Sequence, residues 1–320
     1  MLEMAAVSDK DPFGDLPDEL LWRVLSFLPA DDALQTCVLD TRWRDLWRHA
    51  TSLLFVFDGP TFPRYKRFEQ LVKLVIHLRG NSALIRCEID AYPHDEPEDT
   101  FTNTRLLIDY ALACKAEELV LEDFEGLTPV LENMPLLETA HVNLDDGCHD
   151  HCRSNRGVCD NIFCGCHTYP VKEGVLLNSL SNAAKLDLIA LPKMFLYRWD
   201  LKWCPVFGEL KTLLLNEWFT AVDLVCILRH SPVLEILTLQ LDNTENIVGA
   251  TGAQETITQS FVCEHLKFVY IECEKVDEGV GLILNILSSC GILHEQISIK
   301  EDPHSDSDYS STDSDSTDSD

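Results

Sequence analysis

The chain predicts an α+β fold in two parts: a three-helix unit over residues 13–52 and, over 53–300, a solenoid of short strands and helices. Three observations predict it. Apolar residues fall at helical spacing in the first part, between punctuating prolines at 17 and 29. A strand-like pattern of the type Leu-x-x-Leu-x-Leu then recurs through the rest of the chain. Finally, the last twenty residues carry eight acids and almost nothing apolar, so the fold is expected to end near residue 300.

In the first part, Pro17 suits an opening helical turn, where its missing N–H costs nothing, and Asp18 and Glu19 favour the positive end of the helix. Leu20, Leu21, Val24, Leu25 and Leu28 follow at helical spacing until Pro29 stops the helix. Asp31 suits the cap of a second short helix with the stripe Leu34, Cys37 and Val38. Thr41 can cap a third, with Trp43, Leu46, Trp47 and Ala50 at i, i+3, i+4 and i+7. So many large apolar side chains in so short a unit leave a patch for a partner, unless the stripe packs on its own protein.

The repeat pattern is read at Leu84-x-x-Cys87-x-Ile89, Ala116-x-x-Leu119-x-Leu121, Leu137-x-x-Ala140-x-Val142 and Ala183-x-x-Leu186-x-Leu188. It continues at Leu210-x-x-Leu213-x-Leu215, Leu234-x-x-Leu237-x-Leu239 and Leu266-x-x-Val269-x-Ile271, and Ile297-x-Ile299 closes it. Such periods indicate a leucine-rich-repeat solenoid, in which each unit hides its apolar face by stacking on its neighbours. Irregular period lengths leave a conventional α/β domain as the alternative. Helices are expected at Phe68–Ile76, ended near Gly80, at Leu224–Leu228 and at Val280–Leu287.

The run Asp15-Leu16-Pro17-Asp18-Glu19-Leu20-Leu21, with Phe27-Leu28-Pro29 and Arg42-Trp43-Arg44-Asp45-Leu46-Trp47, resembles the F-box. The segments Trp203–Trp218 and Ile227–Leu239, the latter with Ser231-Pro232-Val233-Leu234-Glu235, are similar to plant F-box proteins with degenerate leucine-rich repeats, the grass-type, FBD-like group. The segment Leu282–Ile299 resembles that group's last helix–strand pair.

The resemblance implies a substrate-recognition subunit of a cullin-RING ubiquitin ligase, docked on a Skp-type adaptor and through it on cullin, with the repeats binding an unknown protein substrate. The adaptor contacts it implies are Leu16, Pro17, Leu20, Leu21, Leu25 and Leu28, with Val38, Trp43 and Trp47 nearby. Where plant members usually read Ser-Arg or Ser-Lys, this chain has Asp40-Thr41, which exchanges a positive charge for a negative one and is expected to weaken docking. A repeat scaffold that recruits no ligase is the alternative role.

Composition bounds the rest. A net charge of −29, from 54 acids against 25 Lys and Arg, argues against binding nucleic acid, whose phosphates want a basic surface. No apolar run approaches the eighteen or so residues of a bilayer span, and no basic-then-apolar leader opens the chain. Thirteen cysteines without such a leader are expected as reduced thiols, in the cytoplasm or nucleus. Cys87, Cys114, Cys226, Cys263 and Cys290 read as small core residues.

The insertion 145–170 concentrates the remaining metal-ligating residue types. Cys148, Cys152, Cys159, Cys164 and Cys166, with His149, His151 and His167, offer the thiolate and imidazole donors zinc prefers. A plain connecting loop, or a local disulfide formed on oxidation, is the alternative, because none of the spacings is C-x₂-C. No nucleophile elbow, phosphate loop or H-E-x-x-H is present, so no catalysis of its own is expected; its contribution to ubiquitin transfer would be proximity. Residues 1–12 are expected to be flexible, and the Ser/Asp tail 301–320 to be disordered and open to phosphorylation by an acid-directed kinase.

Overall fold

Nine short strands, each pairing in parallel with the next in sequence, form one open sheet in the order β1 to β9. The computed structural model describes residues 13–58, 62–92, 100–122, 134–144, 148, 152, 164, 176–248 and 261–302. The expectations for the N-terminal residues 1–12, for Cys159, Cys166, His149, His151 and His167, and for the tail beyond residue 302 lie outside them.

The strands are β1 (Ser52–Asp58), β2 (Arg86–Tyr92), β3 (Glu118–Glu122), β4 (Thr139–Leu144) and β5 (Lys185–Ala190), followed by β6 (Thr212–Asn216), β7 (Ile236–Leu241), β8 (Phe268–Cys273) and β9 (Ile297–Glu301). Eight of them are the eight repeats read from sequence. In register, the first core row runs Leu53, Cys87, Leu119, Ala140, Leu186, Leu213, Leu237, Val269, Ile297; a second, two residues on, runs from Phe55 to Ile299. The leading residue of each repeat, from Leu84 to Leu266, is buried as well. The period of two along each strand thus becomes a continuous apolar stripe across the sheet.

A backbone staple recurs just before the strands. The carbonyl of Thr51 accepts N–H bonds from both Ile85 and Arg86, and Ile85, Glu117, Glu138, Ala184, Lys211 and Glu235 do the same for the repeat that follows each. These shared bonds fix the register between repeats whatever the side chains.

Among the described residues, helices follow six of the strands: α3 (Phe62–Arg79), α4 (Thr100–Ala113), α5 (Leu196–Asp200), α6 (Ala221–His230), α7 (Glu245–Val248) and α8 (Glu278–Ser289). Gly80, at φ +59°, ends α3 where sequence placed the stop. Thr220 caps α6 in a reciprocal box with Asp223, and Asp277 caps α8. In the described connections the repeat is therefore a strand followed by a helix, and the helix varies from 4 to 18 residues.

The N-terminal unit departs from three helices. Helices α1 (Asp18–Leu25) and α2 (Ala30–Gln35) are followed by 3₁₀ turns at Thr36–Val38 and Leu46–His49. Prolines 17 and 29 hold the two cap positions, so Asp31 lies within the first turn of α2. Strand β1, which the repeat pattern did not include, joins the two parts. Pro29 bridges to Leu54, and Arg79, buried at the end of α3, donates to the carbonyls of Ala50 and Ala83 (2.7 Å each) and to the Tyr110 hydroxyl of α4 (2.9 Å). One core runs without a break from Leu21 to Ile292.

Candidate protein-interaction surfaces

Helix α1 and the turn that follows it carry two apolar stripes, each at i, i+4, i+7. Leu21, Leu25 and Leu28 turn inward: the first two are fully buried and Leu28 packs on the core. Leu20, Val24 and Phe27 turn outward. After α2 the chain adds Val38 and Leu39 to the exposed apolar residues, 82% and 67% exposed, while Phe27 is 77% exposed.

The nine residues carried over from the resemblance therefore divide. Pro17, Leu20 and Val38 are exposed, and Leu16 and Leu28 are half-buried. Leu21, Leu25, Trp43 and Trp47 are buried in the chain's own core, behind the outer face. Packing on the chain's own core thus describes four of these nine side chains. Phe27, Val24 and Leu39, absent from that set, stand in their place at the surface.

Arg42 holds the start of this face. Its guanidinium donates to the carbonyls of Phe13 (3.3 Å) and Gly14 (3.0 Å), to that of Leu16, and to the Asp18 carboxylate at 2.7 Å. With a further bond from Nε to the same carboxylate at 3.0 Å, five donors of a guanidinium that cannot lose its charge hold the Phe13–Asp18 segment. Next to it, the Thr41 hydroxyl donates to Asp40 at 2.8 Å and the Arg42 amide approaches it at 3.4 Å, holding its carboxyl below the usual range. Asp40 is therefore a fixed negative charge close in sequence to Val38 and Leu39.

The other broad surface is the outer face of the sheet, where the alternate residues of each strand point. It carries ion pairs: Arg86 pairs with Glu88 (2.8 Å) and Glu118 (3.2 Å), and just before β7 and β8 Lys267 pairs with Glu235 (2.7 Å). His141 lies 3.4 Å from both Glu122 and Asp187, and Lys185 lies 3.3 Å from Asp187. Burial opposes ionisation of Asp187, but hydrogen bonds from His141 and Lys185 prevail and hold its carboxyl below the ordinary value. Phe268 and Tyr270 stack near the last strands, both exposed.

At the C-terminal ends of the strands a cleft of about 310 Å³ is lined by Asn216, Glu217, Gln240, Asp242, Glu272 and Lys300 among others. Burial, with Asp242 nearby, raises the Glu217 carboxyl. Asn216 pins the wall of the cleft through paired 2.9 Å bonds to the backbone of Ala190. These surfaces can hold a protein by charge and aromatic contact.

Of the cysteine-rich insertion, Cys148, Cys152 and Cys164 are described, and all are buried. Cys152 and Cys164 have their sulfurs 3.9 Å apart beside Phe195 and Trp199. Cys87 is a core residue as expected, its thiol pushed up to about 12 by burial. Cys226 is not deeply buried: it meets Cys204 and His230, and the three ligand atoms all lie within 4.8 Å of one another. A hydrogen bond from Cys204 lowers the Cys226 thiol to about 7. The signal available in sequence was Cys226-x₃-His230 on one helix, but Cys204 joins only through the fold.

Comparison with known proteins places an F-box domain at residues 13–53. An F-box/LRR-repeat protein of Arabidopsis thaliana is 39% identical over 97 residues, 26% of this chain and 25% of the relative. An FBD-associated F-box protein of the same plant is 34% identical over 71 residues, 22% of this chain and 17% of the relative. The chain thus spans a quarter or less of the length of these curated relatives.

Proposed function

For an F-box protein of the plant F-box/LRR, FBD-like kind, we propose the role of substrate-recognition subunit in a Skp–cullin–F-box ubiquitin ligase. The observation that carries it is the outward stripe Leu20, Val24 and Phe27, with Val38 and Leu39, on the segment that matches the F-box. Apolar side chains this exposed are the makings of a partner surface, and in this reading the partner is a Skp-type adaptor that leads to cullin. The open sheet is then an arc of degenerate leucine-rich repeats, whose polar outer face and acidic cleft take the target. The chain supplies no chemistry of its own; it raises the effective concentration of a target lysine near a charged ubiquitin-conjugating enzyme. Its place of work is the cytoplasm or nucleus.

One observation favours a second reading, a repeat scaffold without a ligase. Asp40 sets a negative charge close to Val38 and Leu39. Co-expression with a Skp-type adaptor and cullin, followed by capture on this chain, separates the two. Retrieval of both supports the ligase role. Absence of the adaptor from a folded, soluble chain leaves the scaffold.

A further inference from the structure

We propose that Cys204, Cys226 and His230 form a zinc site that fastens the segment before β6 to helix α6, apart from the cysteine-rich insertion. Cys226 and His230 stand at i and i+4 on α6, so their side chains share one face. The Cys226 sulfur lies 3.9 Å from His230 Nδ1. Cys204 closes the 3₁₀ turn Leu201–Trp203, and the Phe207 amide donates to the His230 carbonyl at 2.8 Å. That backbone bond fixes the Cys204 segment against the end of α6 before any ion is bound.

The distances suit the ion. Zinc takes thiolate at about 2.3 Å and imidazole nitrogen at about 2.0–2.1 Å, which in a tetrahedron sets neighbouring donors about 3.5–3.8 Å apart. The three ligand atoms, all within 4.8 Å of one another, reach that spacing by small rotations about their side-chain bonds. None of the three residues is fully buried, so an ion can enter. Two thiols lose their protons on binding, and the two thiolates neutralise the dication. His230 Nδ1, now 2.8 Å from the Cys226 carbonyl, exchanges that hydrogen bond for the metal. Three protein donors leave a fourth position for water.

Cobalt(II) serves as the probe, titrated into the full-length chain after treatment with chelator and reductant. The expected result is one equivalent bound, with a near-ultraviolet thiolate-to-cobalt band and tetrahedral visible bands that zinc abolishes. Cys204→Ser and Cys226→Ala should each weaken binding by more than the roughly 10- to 100-fold that loss of an outer-shell partner costs. His230→Gln, at the end of the helix, should weaken it without loss of fold by circular dichroism. The double variant Cys152→Ser/Cys164→Ser should leave the bands unchanged. No cobalt bound by the folded chain overturns the proposal, as do bands that survive Cys204→Ser and disappear with the insertion variant.

Discussion

Replacing Phe27 and Val38 by alanine should weaken adaptor docking by more than about a hundredfold without touching the fold. An aromatic side chain buries about 150–250 Å² when fully covered. With Phe27 77% exposed, about 120–190 Å² remains for a partner to cover, an upper limit of about 3–5 kcal/mol at roughly 25 cal/mol/Å². Alanine retains part of that area, so Phe27→Ala should cost about 2–3 kcal/mol of binding and Val38→Ala about 1 kcal/mol. Together they amount to about 3–4 kcal/mol, more than about a hundredfold in Kd. Calorimetric titration of purified adaptor into each variant measures the loss, with thermal unfolding recorded alongside. Leu21→Ala is the matched control: it opens a cavity in the core and should lower the unfolding midpoint by the equivalent of about 2–5 kcal/mol. A folded Phe27→Ala/Val38→Ala variant with unchanged adaptor affinity refutes the assignment of this face.

Arg42→Ala should release the Leu16-Pro17 segment and weaken adaptor binding, read in the same titration, because five donors to four groups are lost together. Arg79→Ala should destabilise the chain by about 3–5 kcal/mol in denaturant unfolding, since it leaves buried carbonyls unsatisfied at the junction of the two parts. Gly279→Ala should cost about 1–3 kcal/mol, because a Cβ there collides with the Thr244 side chain. The Asp187 carboxyl has its folded-state pKa lowered, so its stabilisation is present above its unfolded value, near 3.9, and is lost as pH falls through the folded one. Asp187→Asn should therefore flatten the loss of stability below pH 4, measured as the unfolding midpoint against pH.

The strand repeats were legible because alternation of buried and exposed residues survives in the chain even where the connecting segments vary. Each x-Leu-x-Leu pair found in sequence falls in register with its neighbour. Strand β1 escaped because its alternation is masked: Leu54 and Val56 are apolar on the outer face too. The exposed apolar face was legible as a segment but not side chain by side chain. A helix that is apolar on two neighbouring faces, about 100° apart, gives one sequence signal for both, and only tertiary packing decides that Leu21 and Leu25 go in while Leu20 and Val24 stay out. The third helix failed because Trp43 and Trp47 anchor a sequence of tight turns instead of one regular face. Cys204 and Cys226 could not be joined from sequence, since no local period relates a turn residue to a helix beyond the intervening strand.

The junction at Arg79, Pro29 and β1 has a mechanical meaning. Because the N-terminal unit shares its core with the first strand, it is the end plate of the sheet, and no hinge separates the two. In a ligase, force and orientation would pass from the docked face to the target face as through a single lever arm, with reach set by the number of strands. Removing the N-terminal unit to trap targets would strip the end plate and bare the edge of β1 as a template for another chain's strand. Targets should be trapped instead with surface variants that leave the lever whole.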